Sequence, residues 1–137
     1  MKIGVFGLGY VGAVSAACFA NDGHDIVGVD TNVEKVALLR QGYSPIIEPG
    51  LPELLREAVQ RQRLFVSNEA ASIADSDLSL VCVGTPSQDD GSLDLRQVRR
   101  VALDIGHVLA EMSRYHVVVI RSTILPGSLE SQVIPIL

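Results

Sequence analysis

The stretch Lys2–Gly12, KIGVFGLGYVG, decides the fold. Its first half is a short β-rich run, and its second half, Gly7-Leu8-Gly9-Tyr10-Val11-Gly12, fits the pattern G-x-G-x-x-G. Alone, that pattern is weak. Here it follows a strand directly and opens the Ala-rich segment AVSAACFAND, whose composition and length predict a helix that stops near Gly23. In a strand–turn–helix unit each glycine has a physical task. Gly7 makes the tight turn, Gly9 lets the backbone approach a pyrophosphate, and Gly12 lets the helix pack closely on the strand. The N–H groups at the helix start then face phosphate oxygens.

The next run, DIVGVD, reads as a buried strand closed by an acid, and Asp30 falls 18 residues after Gly12. A carboxylate about 20 residues past the glycine turn hydrogen-bonds an adenosine ribose in dinucleotide sites. It also repels a 2′-phosphate, which favours NAD over NADP. Lys35, about one turn into the following helix, pairs with Asp30 or reaches a phosphate. The plain alternative is a glycine-rich turn that binds nothing, with Asp30 capping a helix at the Thr31-Asn32 corner. Strand, turn, helix and acid agree in register, and that agreement favours a dinucleotide site.

Working outward, NVEKVALLRQG repeats apolar residues at helical spacing until Gly42. YSPIIEPGLP carries three prolines in ten residues and must be an extended loop; LPELLREAVQRQR then starts a helix with Pro52 in its first turn. LFVSN is a short strand, EAASIADS a short helix, and LSLVCVG a continuous apolar strand expected at the centre of a parallel sheet. After the polar loop TPSQDDGS, a helix expected from near Ser92 presents Leu95, Val98, Val101, Ala102, Ile105, Val108 and Leu109 on one face. HVVVIRST is a fifth strand, and PGSLESQVIPIL a final helix interrupted or ended by Pro135. Alternating elements of these lengths predict an α/β fold, a doubly wound parallel sheet with helices on both faces. The C-terminal run has no stop signal, so the chain is expected to belong to a longer protein, with the last strand of the sheet beyond it.

Ligands of such folds lie beyond the carboxyl ends of the strands, near the point where strand order reverses. Thr85 follows the fourth strand and Thr123 the fifth, each placed to bond the ribose or nicotinamide half of a dinucleotide or, equally, to cap a turn.

Composition narrows the partners. The 137 residues are 47% apolar and 20% charged, with 11 basic against 16 acidic side chains and a net charge of −5, which describes one soluble domain. No basic run exceeds Arg99-Arg100, so nucleic acid and anionic membranes are not expected as partners. Cys18 and Cys82 sit in apolar runs and are expected to be small buried hydrophobes in a reducing, cytoplasmic setting. His24, His107 and His116 are isolated, so no metal site is expected. Asp89-Asp90 and the pair Asp75 and Asp77 read as solvated turn residues.

FGLGYVGAV, GHDIVGVD, SPIIEPGL, SLVCVGTPS, DGSLDL and VVVIRSTILPGS, in this order, resemble the N-terminal domain of the nucleotide-sugar 6-dehydrogenases, the UDP-glucose/GDP-mannose dehydrogenase family. The resemblance runs from Lys2 to the last helix and is closest to members that act on GDP-mannose, with those that act on UDP-glucose as the alternative. It implies a Rossmann domain holding NAD, with Gly7, Gly9, Tyr10, Val11 and Gly12 at the pyrophosphate turn. Asp30 and Lys35 would stand at the adenosine end, and Thr85 and Thr123 near the nicotinamide. The family oxidises a sugar C6 alcohol to a carboxylate in two hydride transfers, with a cysteine thiolate capturing the aldehyde. That cysteine lies in a later glycine-rich motif whose context neither Cys18 nor Cys82 has, so no catalytic residue is expected in this chain. The central dimerisation helix and the sugar-nucleotide domain are also expected outside it, with the parent a homodimer or larger. A β-hydroxyacid dehydrogenase shares the GLG-type turn but not EPGL or VGTPS. A stand-alone NAD-sensing module is the reading from another class.

Overall fold

Residues 1–137 are described by a computed structural model. β1 (Lys2–Phe6) is buried from Ile3 to Phe6 and pairs in parallel with β2 (Asp25–Val29) on one side and β4 (Leu78–Val81) on the other. With both faces covered, a continuous apolar run is the sequence that fits it. β3 (Leu64–Ser67) adds to β2, and β5 (Val117–Ile120) adds to β4, giving the all-parallel order β3-β2-β1-β4-β5. The chain winds outward from β1 to one edge, then returns and winds to the other: the expected doubly wound Rossmann arrangement. β1, which begins this winding, takes the centre. The LSLV run of β4 therefore lies one place off the central position expected for it.

α1 (Tyr10–Asn21), α2 (Val33–Arg40) and α3 (Leu51–Gln60) pack over one face, around Ile3, Val5, Leu8, Ile26 and Leu55. The other face, Phe6, Val27, Val29 and Val81, is covered by a 3-10 turn at Ala70–Ile73 and by α4 (Arg96–Glu111). EAASIADS thus supplies one tight turn rather than a full helix. The inner stripe of α4 is Val98, Ala102 and Ile105, all fully buried and three or four residues apart.

Three expectations need correction. Cys18 is exposed: α1 is apolar all round, so its composition hid which face is inner, and the buried stripe is Gly12, Ala13, Ala16, Ala17 and Ala20. α4 begins at Arg96, not near Ser92, because the preceding loop closes on itself. Both the Ser92 N–H (2.9 Å) and hydroxyl (2.7 Å) donate to Asp90 Oδ1, Ser87 bridges Leu93, and the Arg96 N–H donates to Asp94 Oδ1 at 3.0 Å. The last helix is a π turn, Leu129–Val133, followed by a 3-10 turn, Ile134–Ile136, since Pro135 has no N–H to continue an α-helix.

Asp77, its side chain 45% exposed, also accepts the Lys2 N–H at 2.7 Å and so joins the start of β1 to that of β4. β5 pairs with β4 alone, and its Val117 and Val119 are 38% and 39% exposed. No helix is long and apolar enough to cross a membrane.

Candidate functional site

Where the winding reverses, the loops leaving β1, β2 and β4 enclose a cleft of about 340 Å³. Phe6, Gly7 and Gly9 form its floor, Cys82, Val83 and Gly84 one wall, and Asp30, Thr31, Asn32 and Lys35 the other. A larger concavity, about 620 Å³, lies between the Ala70–Ile73 turn and the end of α4, but it includes neither the glycine turn nor Asp30.

The three motif glycines differ in what surrounds them. Gly7 has φ +84°, and a Cβ there would lie 2.8 Å from Val83 Cγ1. At Gly12 a Cβ would stand 1.8 Å from the Gly7 carbonyl oxygen, so only hydrogen lets the helix sit on the turn. At Gly9 a Cβ would meet no protein atom within 4 Å. Nothing in the protein requires that glycine; the open space belongs to whatever enters the cleft. The N–H groups of Gly9, Tyr10, Val11 and Gly12 have no acceptor in the chain, the first α1 bond being Ala13 N–H to Gly9 O at 2.9 Å. Four unpartnered donors at a helix start, beside a turn cleared of side chains, fit a pyrophosphate.

Asp30 is 9% exposed and both its oxygens are engaged. Oδ2 accepts from the Leu8 N–H (2.8 Å) and from Lys35 Nζ (2.7 Å), and Oδ1 accepts from the Asn32 N–H (2.9 Å). The carboxylate at the end of β2 therefore staples the glycine turn of β1. Asn32, not Asp30, caps α2, accepting the Lys35 N–H at 2.9 Å. Lys35 pairs with Asp30, one of its two expected options.

Thr85 and Thr123 are brought together: the Thr85 hydroxyl donates to the Thr123 carbonyl at 2.8 Å, tying the loop after β4 to that after β5. Ser122, which the sequence did not single out, strengthens the tie by donating from Oγ to the Val83 carbonyl at 2.7 Å. Cys82 lies beside the Gly7–Gly12 contact, and burial pushes its thiol from an ordinary 9.0 to about 11, with Arg121 opposing the rise. At neutral pH it is a protonated apolar wall.

Tyr10 and Val11 do not line the cleft; they stand at the start of α1 with exposed side chains. The Tyr10 ring is exposed, and its hydroxyl donates to the Glu48 carboxylate in the Pro-rich loop, which holds the phenol above its ordinary 10.0. No local signal predicts that contact across 38 residues. His116 bridges the Ser76 carbonyl and the Ser79 hydroxyl at 2.9 Å each, and His24 meets Phe19 edge-on. No group of three His, Cys, Asp or Glu side chains converges as a metal site would require.

Residues 1–137, the whole chain, match the NAD-binding domain of the UDP-glucose/GDP-mannose dehydrogenase family. The chain belongs to this family. GDP-mannose 6-dehydrogenase of Pseudomonas putida is 48% identical over 138 residues, covering 100% of the chain and 32% of that protein. UDP-glucose 6-dehydrogenase of Pseudomonas aeruginosa is 42% identical over 131 residues, 95% of the chain and 28% of that protein. Among solved structures, the ternary complex of GDP-mannose dehydrogenase from Pseudomonas aeruginosa superposes with a TM-score of 0.97 at 47% identity, over 99% of the chain and 31% of that one. A UDP-glucose dehydrogenase from Pyrobaculum islandicum gives 0.94 at 42% identity, over 98% and 32%. This family domain thus spans about a third of the length of the relatives it matches.

Proposed function

We propose that the chain is the NAD-binding part of a nucleotide-sugar 6-dehydrogenase that oxidises the C6 alcohol of GDP-mannose to the carboxylate in two NAD-dependent steps. The observation that carries the reading is Gly9. Its missing side chain is explained by no protein neighbour, and it stands beside four N–H donors without acceptors in a domain of this family. When bound, NAD supplies the hydride acceptor.

The chain's own residues bind and orient. The N–H groups of Gly9, Tyr10, Val11 and Gly12, at the positive end of the α1 dipole, neutralise the pyrophosphate. Gly7 and Gly12 hold the turn that aims them. Asp30 accepts from the adenosine ribose while keeping its bond to Leu8, and Lys35 offsets its charge. Thr85 retains lone pairs on its hydroxyl after donating to Thr123, and these two threonines position the nicotinamide half. Cys82, protonated at neutral pH, closes the wall without reacting.

The GDP-mannose assignment rests on the higher identity to enzymes of that name, 48% against 43% for the UDP-glucose 6-dehydrogenase of Haloferax volcanii. UDP-glucose is the second reading. In the first, the parent is a cytoplasmic homodimer or larger that feeds polysaccharide synthesis, with the sugar nucleotide held by a further domain and neither nucleic acid nor membrane as partner. Calorimetric titration of the chain with NAD and NADP, repeated on Asp30→Ala, tests the core of it. Preferential NAD binding weakened by the substitution supports it, and a folded chain that binds neither overturns it. Assay of the full-length protein with GDP-mannose and UDP-glucose decides the substrate.

A further inference from the structure

An open helix N-terminus attracts any anion within reach, the protein's own carboxylates included. The start of α1, with four N–H groups that no acceptor in the chain takes up, is such an end. The two carboxylates that line the cleft are both held: Asp30 by Leu8, Asn32 and Lys35, and Asp104 by Arg100 at 3.2 Å. A third, Glu48, does not line the cleft, yet its Oε2 accepts the hydroxyl of Tyr10, the first residue of α1. One phenol's length therefore separates that charge from the helix start. The backbone beneath Glu48 is pinned on both sides. Before it, the Ser44 hydroxyl donates to the Ile46 carbonyl at 2.6 Å and Ile46 packs against the core. After it, the Glu48 carbonyl accepts the Leu51 N–H at 3.2 Å where α3 begins, and the ring of Pro49 fixes the turn between them.

Only the Glu48 side chain is left to choose a direction, and its rotatable bonds allow several. Tyr10 is its sole hydrogen-bond partner. The bond in turn raises the phenol above its ordinary 10.0, so at neutral pH the ring is an uncharged donor that occupies the carboxylate without adding a charge of its own. We propose that the Tyr10 phenol is a positioning residue for the cofactor: by holding the Glu48 carboxylate it keeps the protein's own anion off the start of α1 and leaves the four N–H groups to the pyrophosphate. The inference rests on the dinucleotide reading of the cleft. It gives the Tyr10 side chain, which stands outside the cleft, a part separate from that of its backbone N–H.

The test is calorimetric titration with NAD and with ADP, which carries the pyrophosphate without the nicotinamide. In Tyr10→Phe the released carboxylate competes for the helix start. A charge–dipole contact of this kind is worth about two- to fivefold in an equilibrium, so both ligands should bind about three- to sixfold more weakly. Glu48→Gln keeps an oxygen for Tyr10 but carries no charge, and should stay within about twofold of wild type. The double variant, Tyr10→Phe with Glu48→Gln, should recover wild-type affinity although the bond is still absent, a rescue that a merely structural tie would not give. All three should melt near wild type, because the bond is exposed. Wild-type affinity in Tyr10→Phe overturns the proposal, and so does an unrescued loss in the folded double variant. A loss in Glu48→Gln alone as large as that in Tyr10→Phe overturns it too, since Glu48 would then bind the ligand itself. In each of these cases the wild type still binds NAD and the cofactor reading stands. A folded wild-type chain that binds neither ligand overturns both.

Discussion

The two glycines Gly9 and Gly12 lie three residues apart in one motif, yet alanine at each is expected to fail in opposite ways. At Gly12 the added Cβ stands 1.8 Å from the Gly7 carbonyl oxygen and 2.9 Å from its carbon, both backbone atoms that no rotamer change can move. Relief requires α1 to lift off the turn by more than an ångström, and overpacking of that kind costs about 3 kcal/mol or more. For a domain of this size that is a drop in melting temperature of roughly 10 °C. At Gly9 the backbone already has φ −74° and ψ −158°, open to any residue, and the Cβ meets nothing within 4 Å. Alanine at an N-cap costs up to about 1 kcal/mol, and lost unfolded-chain entropy returns about 0.4–1 kcal/mol, so the fold should be nearly unaffected. The methyl group projects where a pyrophosphate would approach, and NAD affinity should fall at least tenfold, about 1.4 kcal/mol. Thermal melts by circular dichroism and calorimetric titration with NAD read the two effects separately. Wild-type affinity in Gly9→Ala, or wild-type melting in Gly12→Ala, would refute the division of labour.

Asp30→Ala should lower stability as well as affinity, because the buried Leu8 N–H loses its acceptor at a cost of about 1–3 kcal/mol; Asp30→Asn, which keeps an oxygen there, should melt closer to wild type. An equal loss in both variants counts against the staple. For Cys82, the raised thiol predicts alkylation that is slow at pH 8 and climbs about tenfold per pH unit toward about 11, while exposed Cys18 labels first and NAD protects Cys82 alone; peptide mass spectrometry reads both. Since folding raises this thiol from 9.0 to about 11, its stabilising contribution is complete below pH 9 and lost as pH rises through about 11. Thr85→Val removes the bond to Thr123 and should weaken NAD but not ADP-ribose, which lacks the nicotinamide; equal weakening of both would show that Thr85 serves only the fold.

What could be read from the sequence was what local physics encodes. Continuous apolar runs located all five strands, glycine at 23 and 42 marked the ends of α1 and α2, and G-x-G-x-x-G between a strand and a helix located the cleft. The misreadings have equally specific causes. Ala-rich α1 has no polar face, so Cys18 could not be assigned a side. Ser92 looked like a helix cap but is held by Asp90, a choice between two local bonds that composition does not settle. The Tyr10–Glu48 and Thr85–Thr123 contacts each join residues 38 apart, and only the folded sheet brings them together. Gln97 and Asp104 line the cleft from outside the apolar stripe of α4, and apolar periodicity carries no signal for such positions.

The unequal covering of the two sheet edges divides the cleft mechanically. β3, at one edge, has three of its four residues buried, whereas β5, at the other, has none. Local opening is least costly where few apolar contacts must be broken. Amide exchange should therefore be slowest through β1 and β2, behind the pyrophosphate turn and Asp30, and fastest along β5, which leads into Thr123. In the proposed placement, a dinucleotide would find its adenosine half pre-organised and its nicotinamide half still to be ordered. Its affinity would then be set largely at the first.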